Sequence, residues 1–268
     1  MILLERSHRI VIASAVALIL LFLTIPVLII LPVSFGDSAS LRFPPPGWSV
    51  RWYQAFLGSR QWLAAASTSF EIATLTMLIA VPVGTAASYG LTTCGMARAR
   101  YAYVLLMTPM IVPIIIIGVG VFAVFSKMGL VGSMGALVLA HVLLAIPYVL
   151  LTVGAGLRSF DMNQEMAARS LGVNRAKAFI TVTLPQIRTS VFVAAVFSFL
   201  SSLDEVVVAL FIARGETTTL TREMFLSIRE QVDPTIAAVS SILVSMTVLL
   251  AALAYGSQQR AARRTQAA

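Results

Sequence analysis

From Ile10 to Pro32 the chain carries no charged side chain, and that run decides which solvent the fold is built for. As a helix rising about 1.5 Å per residue, it is long enough to cross a hydrocarbon core of about 30 Å. Five further apolar runs follow: Phe70 to Leu91, Tyr101 to Phe125, Leu130 to Gly156, Val191 to Ala213 and Ile236 to Gly256. Lipid offers no hydrogen bonds, so each crossing must satisfy its own backbone, as a helix does. The expected fold is an all-α integral membrane protein with about six transmembrane helices. Composition agrees. Of 268 residues, 59% are hydrophobic and 11% charged, against about 25% charged in a soluble domain. The spans consume nearly all the length and leave none for a separate soluble catalytic domain.

The net charge of +8 would suggest nucleic acid in a soluble protein. Here the basic residues sit mostly in short segments between apolar runs, where they set orientation. With the N-terminus inside, the inner segments hold Arg6, Arg9, Arg98, Arg100, Arg158, Arg169, Arg175, Lys177, Arg188, Arg260, Arg263 and Arg264. The outer segments hold the other seven of the 19: Arg42, Arg51, Arg60, Lys127, Arg214, Arg222 and Arg229. This bias predicts both termini in the cytoplasm. The single cysteine, Cys94, excludes an intrachain disulfide and a CxxC metal site. The first apolar run is too long for a signal-peptide core of about 7–15 residues, and reads as a retained span.

Three parts are expected. Residues 1–62 form the first span and an external segment, 63–257 a five-span transmembrane domain, and 258–268 a basic cytoplasmic tail. The external connection from Val33 to Ser69 contains Pro44-Pro45-Pro46, which is stiff and extended, and then Arg51 to Leu57, which reads as a short interfacial helix. Trp48, Trp52 and Tyr53 suit the headgroup level. They serve either as a surface anchor or as a docking surface for an external partner.

The internal connection, 157–187, is longer than a turn between two spans requires. Asp161 or Asn163 can cap a helix through Leu171. Gly172 suits the left-handed residue past a helix end, Asn174 can cap the next helix, and Pro185 marks its break. Ala167 and Ala168 make a small, smooth surface. The residues alone fit a helix lying on the headgroups as well as a contact for another protein.

Spacing separates the two readings. Ala167-Ala168 is followed by three residues, Gly172, nine residues, and then Val182-Thr183-Leu184-Pro185. The pattern resembles the EAA loop of binding-protein-dependent ABC importer permeases of the type I fold. There are two departures: Glu165 stands one residue before the usual acidic position, which Met166 occupies, and valine replaces isoleucine at Val182. The resemblance implies that Glu165, Met166, Ala167, Ala168, Leu171, Gly172, Leu184 and Pro185 belong to a coupling loop that docks on an ATP-hydrolysing subunit. Arg51-Trp52-Tyr53, Pro109, Pro113, Ser201 to Glu205, Thr219 to Met224 and Asp233 to Ala238 resemble the spermidine/putrescine branch of that family. The branch implies a polyamine substrate, a second and different homologous permease, two ATP-binding subunits that carry ATP and Mg, and an external substrate-binding protein. It also implies a multi-pass bacterial inner-membrane location. By itself the chain would be no enzyme and bind no cofactor.

Asp204 and Glu205 lie inside the fifth run, where a charge costs about 2.5–3.5 kcal/mol on insertion scales. As neighbours on one helix they would diverge by about 100°. One, expected to be Asp204 with Ser201 on its face and Ser202 nearby, would meet the translocation pathway. Glu205 would meet a neighbouring helix or subunit. Alternatively, both satisfy polar groups at a helix interface. His141 reads as a packed polar residue and Glu71 as solvated near the outer interface. No GxxxxGK[ST] phosphate loop, metal cluster or nucleophile–base arrangement is present in the sequence. A secondary transporter or channel using these carboxylates as a relay is the alternative from another class. It would be expected to show internal repeats, and none is evident. An intramembrane enzyme has no supporting constellation.

Overall fold

The structure, a computed structural model, describes residues 2–94, 97–230 and 233–266, with side chains over 11–94, 99–229 and 233–259. Arg6, Arg9, Arg98 and the tail residues Arg260, Arg263 and Arg264, all counted in the charge bias, lie outside the described side chains. Among the described residues the chain is helical, with one isolated antiparallel bridge between Gly36 and Trp48. In order the helices are α1 (Ile2–Ser34), α2 (Arg51–Gly58), α3 (Arg60–Thr93), α4 (Ala97–Ile111), α5 (Ile114–Lys127), α6 (Met134–Ser159), α7 (Met162–Ser170) and α8 (Arg175–Ala178). They continue with α9 (Leu184–Gln186), α10 (Arg188–Leu203), α11 (Val207–Ile212), α12 (Leu220–Glu230) and α13 (Thr235–Gln266).

Four described helices are long and apolar enough to cross a membrane, and the number rises to six if each of two bent pairs counts as one span. Counted so, the spans match the expected six, and two of them are bent. The third span is α4 and α5, which meet at 104°. Pro113 has no N–H to continue α4, and it drives Val112 out of the helical region. Pro113 itself caps α5 in an extended conformation, ψ 129°. The fifth span, Val191 to Ala213 in the sequence, follows one bend and contains one break. The helical segment Arg175–Gln186 meets α10 at 79°, close behind Pro185, and α10 stops at Leu203 before α11 restarts at Val207.

The chain divides into two compact units. One comprises Met1–Leu63 and Leu226–Thr247. In it the most apolar stretch of α1 is unburied, and Phe22 is 76% exposed, as expected of a surface that faces lipid. The other comprises Ala64–Phe225 and Val248–Ala268, and its core is organised around α6. Leu137, Val149 and Val153 of α6 are fully buried with Ile72 of α3, Ala194 of α10 and Ile212 of α11. Gly84 lets α3 approach α6 closely, since a Cβ there would lie 2.7 Å from Val149 Cγ1. Small residues at helix contacts are the usual device for close packing in lipid.

Candidate functional site

The connection from α6 to α10 folds as two short capped helices around a bend. Asp161 caps α7 by accepting from the Asn163 N–H at 3.0 Å, and Asn174 caps α8 through the Lys177 N–H at 2.9 Å. Gly172 adopts φ +89°. The Gly172 N–H donates to the Arg169 carbonyl at 3.0 Å and the Val173 N–H to that of Ala168 at 3.3 Å, the paired closure of a helix ending in a left-handed residue. Past α8 the chain widens into a π-helical turn, Phe179–Thr183, where the Leu184 N–H reaches back to the Phe179 carbonyl. Pro185 follows at once and has no N–H to offer the turn.

Glu165 points inward. It is 1% exposed, and its carboxylate accepts from the Tyr89 hydroxyl at one oxygen and from Thr183 Oγ1, 2.5 Å away, at the other. Tyr89, near the end of α3, also accepts from Arg175 Nε at 3.2 Å and stacks with Phe179 at 4.5 Å between ring centroids. Arg175 in turn donates to Thr93. A buried carboxylate is tolerated only when its oxygens are satisfied, so α7 is fixed to α3 and to the π-helical turn at a defined distance. Outward, the same helix shows Met166, 51% exposed, beside exposed Ala167 and half-buried Ala168, and Leu171, which caps its end, is 87% exposed. Leu184 is half-buried and Pro185 exposed. The face on offer is therefore apolar and small, with the acid turned away from it.

The carboxylates of the fifth span are arranged differently from the expectation. Asp204 is the residue that ends α10, and Glu205 lies in the break before α11, so they are not neighbours on a continuous helix and the 100° argument does not apply to them. Asp204 is exposed. Glu205 is 8% exposed, and its Oε1 accepts from the Val208 N–H at 2.8 Å. Glu205 and Ser201 line a cavity of about 280 Å³ with Tyr148 and Leu144 of α6 and with Pro109 and Val112 at the α4–α5 break. Both helix breaks thus open on one cavity. Irregular backbone at membrane depth is tolerated where it lines such a space. The carbonyl end of α10 adds negative character to this wall, and the Glu205 carboxylate, which also caps the start of α11, leaves Oε2 as an acceptor there. Ser202 is elsewhere. It is buried between helices, 2.7 Å from His141 Nδ1 and 3.4 Å from Thr76 Oγ1, and His141 is packed at 1% exposure.

In the external segment Trp48 is 71% exposed, and Trp52 lies under the Arg51 guanidinium, 4.2 Å from its ring centroid. The Tyr53 hydroxyl is committed inward, 2.7 Å from Ser34 Oγ and 2.7 Å from Ser241 Oγ. Two other stretches singled out in the sequence carry helix starts: Thr219 Oγ1 accepts from the Arg222 N–H at 3.3 Å, and Asp233 from the Thr235 N–H at 2.8 Å. Among the described residues no group of three or more His, Cys, Asp or Glu is placed to hold a metal. Tyr89 and Tyr148 were not singled out in the sequence, and Thr183 stood there only as a spacer in the motif that ends at Pro185. Tyr89 is separated from Glu165 by 76 positions, and no local pattern marks the pair.

A helical membrane domain with broken spans and a capped two-helix connection is the class of protein the fold defines, and similarity places the chain within it. The chain matches the family described as "Binding-protein-dependent transport system inner membrane component" over residues 80–267; it belongs to that family and is a permease subunit of an ABC importer. It is 30% identical over 250 residues, 91% of this chain and 89% of the relative, to the "Putrescine transport system permease protein PotI" of Escherichia coli (strain K12). It is 29% identical over 238 residues, 87% and 90% of the two chains, to the "Spermidine/putrescine transport system permease protein PotC" of Haemophilus influenzae. Its fold is similar to that of a chain in the crystal structure of a bacterial alginate ABC transporter in complex with an alginate pentasaccharide-bound periplasmic protein. There the TM-score is 0.69 at 13% identity, covering 97% of this chain and 96% of that one.

Proposed function

We propose that this permease conducts a polyamine such as spermidine or putrescine across a bacterial inner membrane, as a multi-pass subunit of an ATP-driven complex. The observation that carries the substrate class is the cavity where both helix breaks meet around Glu205. A carboxylate there replaces part of the hydration that an ammonium group sheds on entry, and the attraction is stronger than in water because the local dielectric is lower. One carboxylate per site also allows release, since conduction needs binding weak enough to leave. Ser201 and Tyr148 supply hydroxyls beside it. Asp204, exposed at the same break, adds a second carboxylate beside it. The similarity to putrescine and spermidine/putrescine permeases supports the same reading.

In this account the energy comes from two partner subunits that bind ATP and Mg. Met166, Ala167, Ala168 and Leu171 form the contact for one of them, while Glu165, Gly172, Leu184 and Pro185 hold the contact in shape. The second permease is a homologous but different chain, and an external binding protein delivers the substrate near Trp48 and Trp52. Purification in mild detergent tests the assembly. Co-purification with an ATPase whose activity rises on adding loaded binding protein is the expected result, and solute transport by the chain alone would contradict it.

A further inference from the structure

A second cavity, of about 410 Å³, lies at the opposite end of α6 from the start of that helix. Arg100 of α4 and Arg158 of α6 line it, with Ser88 and Thr92 of α3 and Tyr103 of α4. Gly154 brings Ser88 Oγ and Arg158 Nη1 to one point of the wall: they lie 3.4 and 3.5 Å from where its Cβ would stand. Among the described residues no acidic side chain lines the cavity. Its polar wall is two guanidiniums, the Ser88 hydroxyl and the Tyr103 phenol, a set that donates hydrogen bonds to an anion and repels a cation, while the Thr92 hydroxyl is committed to the Ser88 carbonyl at 2.8 Å. Guanidinium forks match phosphate oxygens in geometry as well as charge. The cationic cargo proposed above has no use for it.

A second feature fixes the kind of anion. Arg100 also stands at one end of a groove along α4, walled by Tyr101, Val104, Leu105 and Thr108. Tyr101 is 77% exposed, Leu105 71% and Val104 54%. The groove is one exposed face of α4 that runs from the guanidinium into the apolar length of the span, so a polar anionic site and an apolar surface adjoin at Arg100. A free phosphate needs only the first part, whereas a phospholipid needs both. The charge bias of the sequence assigns Arg100 and Arg158 to the cytoplasmic side, where basic pockets between transmembrane helices hold anionic headgroups. We infer that Arg100 and Arg158 bind the phosphate of an anionic phospholipid in the inner leaflet, with an acyl chain along Tyr101, Val104 and Leu105. Arg158 ends the helix that leads directly into α7, so the bound lipid would sit against the base of the coupling loop.

The test uses the intact importer, purified and placed in nanodiscs of phosphatidylcholine alone or with added phosphatidylglycerol. Native mass spectrometry of the released complex counts retained phosphatidylglycerol. The wild type should retain it over phosphatidylcholine, and each of Arg100→Gln and Arg158→Gln should lower retention about fivefold, from the electrostatic attraction of a basic residue near an anionic surface. Inorganic phosphate should not displace the lipid; full displacement would mean an anion site without the lipid. Melting in phosphatidylcholine alone checks folding, because both variants should match the wild type there and lose only the gain that phosphatidylglycerol gives. A photo-crosslinker at Leu105 should capture lipid. Equal retention in the double variant, or capture of the second permease at Leu105, would overturn the assignment.

Discussion

The hydroxyl of Tyr89, near the end of α3, donates to the buried carboxylate of Glu165 in the middle of α7. This bond joins a membrane-crossing helix to the short helix of the loop proposed to contact the ATP-binding subunit. With Thr183 on the other oxygen, it makes α7 a part of the membrane domain's frame. A push on α7 is then delivered to α3 and the π-helical turn together.

Removing the Tyr89 hydroxyl should loosen that frame. Tyr89→Phe leaves a buried carboxylate oxygen without a donor, at a cost of about 1–3 kcal/mol. The complex should still assemble but melt at a lower temperature, and substrate-stimulated ATPase activity should fall several-fold. Unchanged melting and stimulation would show that α7 is held by other contacts.

Gly172 carries the bend. A side chain at φ +89° costs about 1–2 kcal/mol from the clash of Cβ with the backbone, though no described neighbour crowds the position in space. Gly172→Val should insert normally yet uncouple ATP hydrolysis from transport. Gly172→Asn should be much milder, because asparagine tolerates the left-handed region. Wild-type substrate-stimulated ATPase activity in the valine variant would contradict the role.

The external aromatics should separate by function. Tyr53→Phe breaks links to Ser34 and Ser241 and should lower stability by about 1 kcal/mol, without altering the response to binding protein. Trp52→Ala should leave stability nearly unchanged and weaken stimulation at limiting binding protein. If Trp52→Ala responds normally, anchoring in the headgroup layer is its whole role.

The sequence was informative where the determinants are local. Caps and the left-handed glycine depend on residues a few positions apart, so Asp161, Gly172 and Asn174 were readable in advance. Each span was visible as an apolar run. The breaks were only half legible: Pro113 and Pro185 announced a disturbance, but its size, 104° and 79°, depends on how neighbouring helices pack. The interruption after Leu203 had no proline to mark it. The inward turn of Glu165 was not legible because its partners are Tyr89 and Thr183, and only the fold brings the first of these to it.

The carboxylates proposed to line the pathway give the sharpest mutational contrast. Glu205→Gln keeps an oxygen for the Val208 N–H and removes the charge, so the complex should form in normal amount while spermidine uptake falls about tenfold or more, the scale of a lost charge-assisted bond. Asp204→Asn should also assemble and lose uptake. Glu205→Ala should additionally destabilise the start of α11. Full uptake by both Glu205→Gln and Asp204→Asn would end the case for a cationic cargo.

The most direct test is uptake of labelled spermidine into proteoliposomes that contain the permease pair and ATPase subunits, with the binding protein outside and ATP enclosed. The account predicts accumulation that needs both the binding protein and hydrolysable ATP, and that stops when this chain is omitted. Uptake by this chain alone without ATP, or ATP-driven import of a neutral solute with none of spermidine or putrescine, would contradict it.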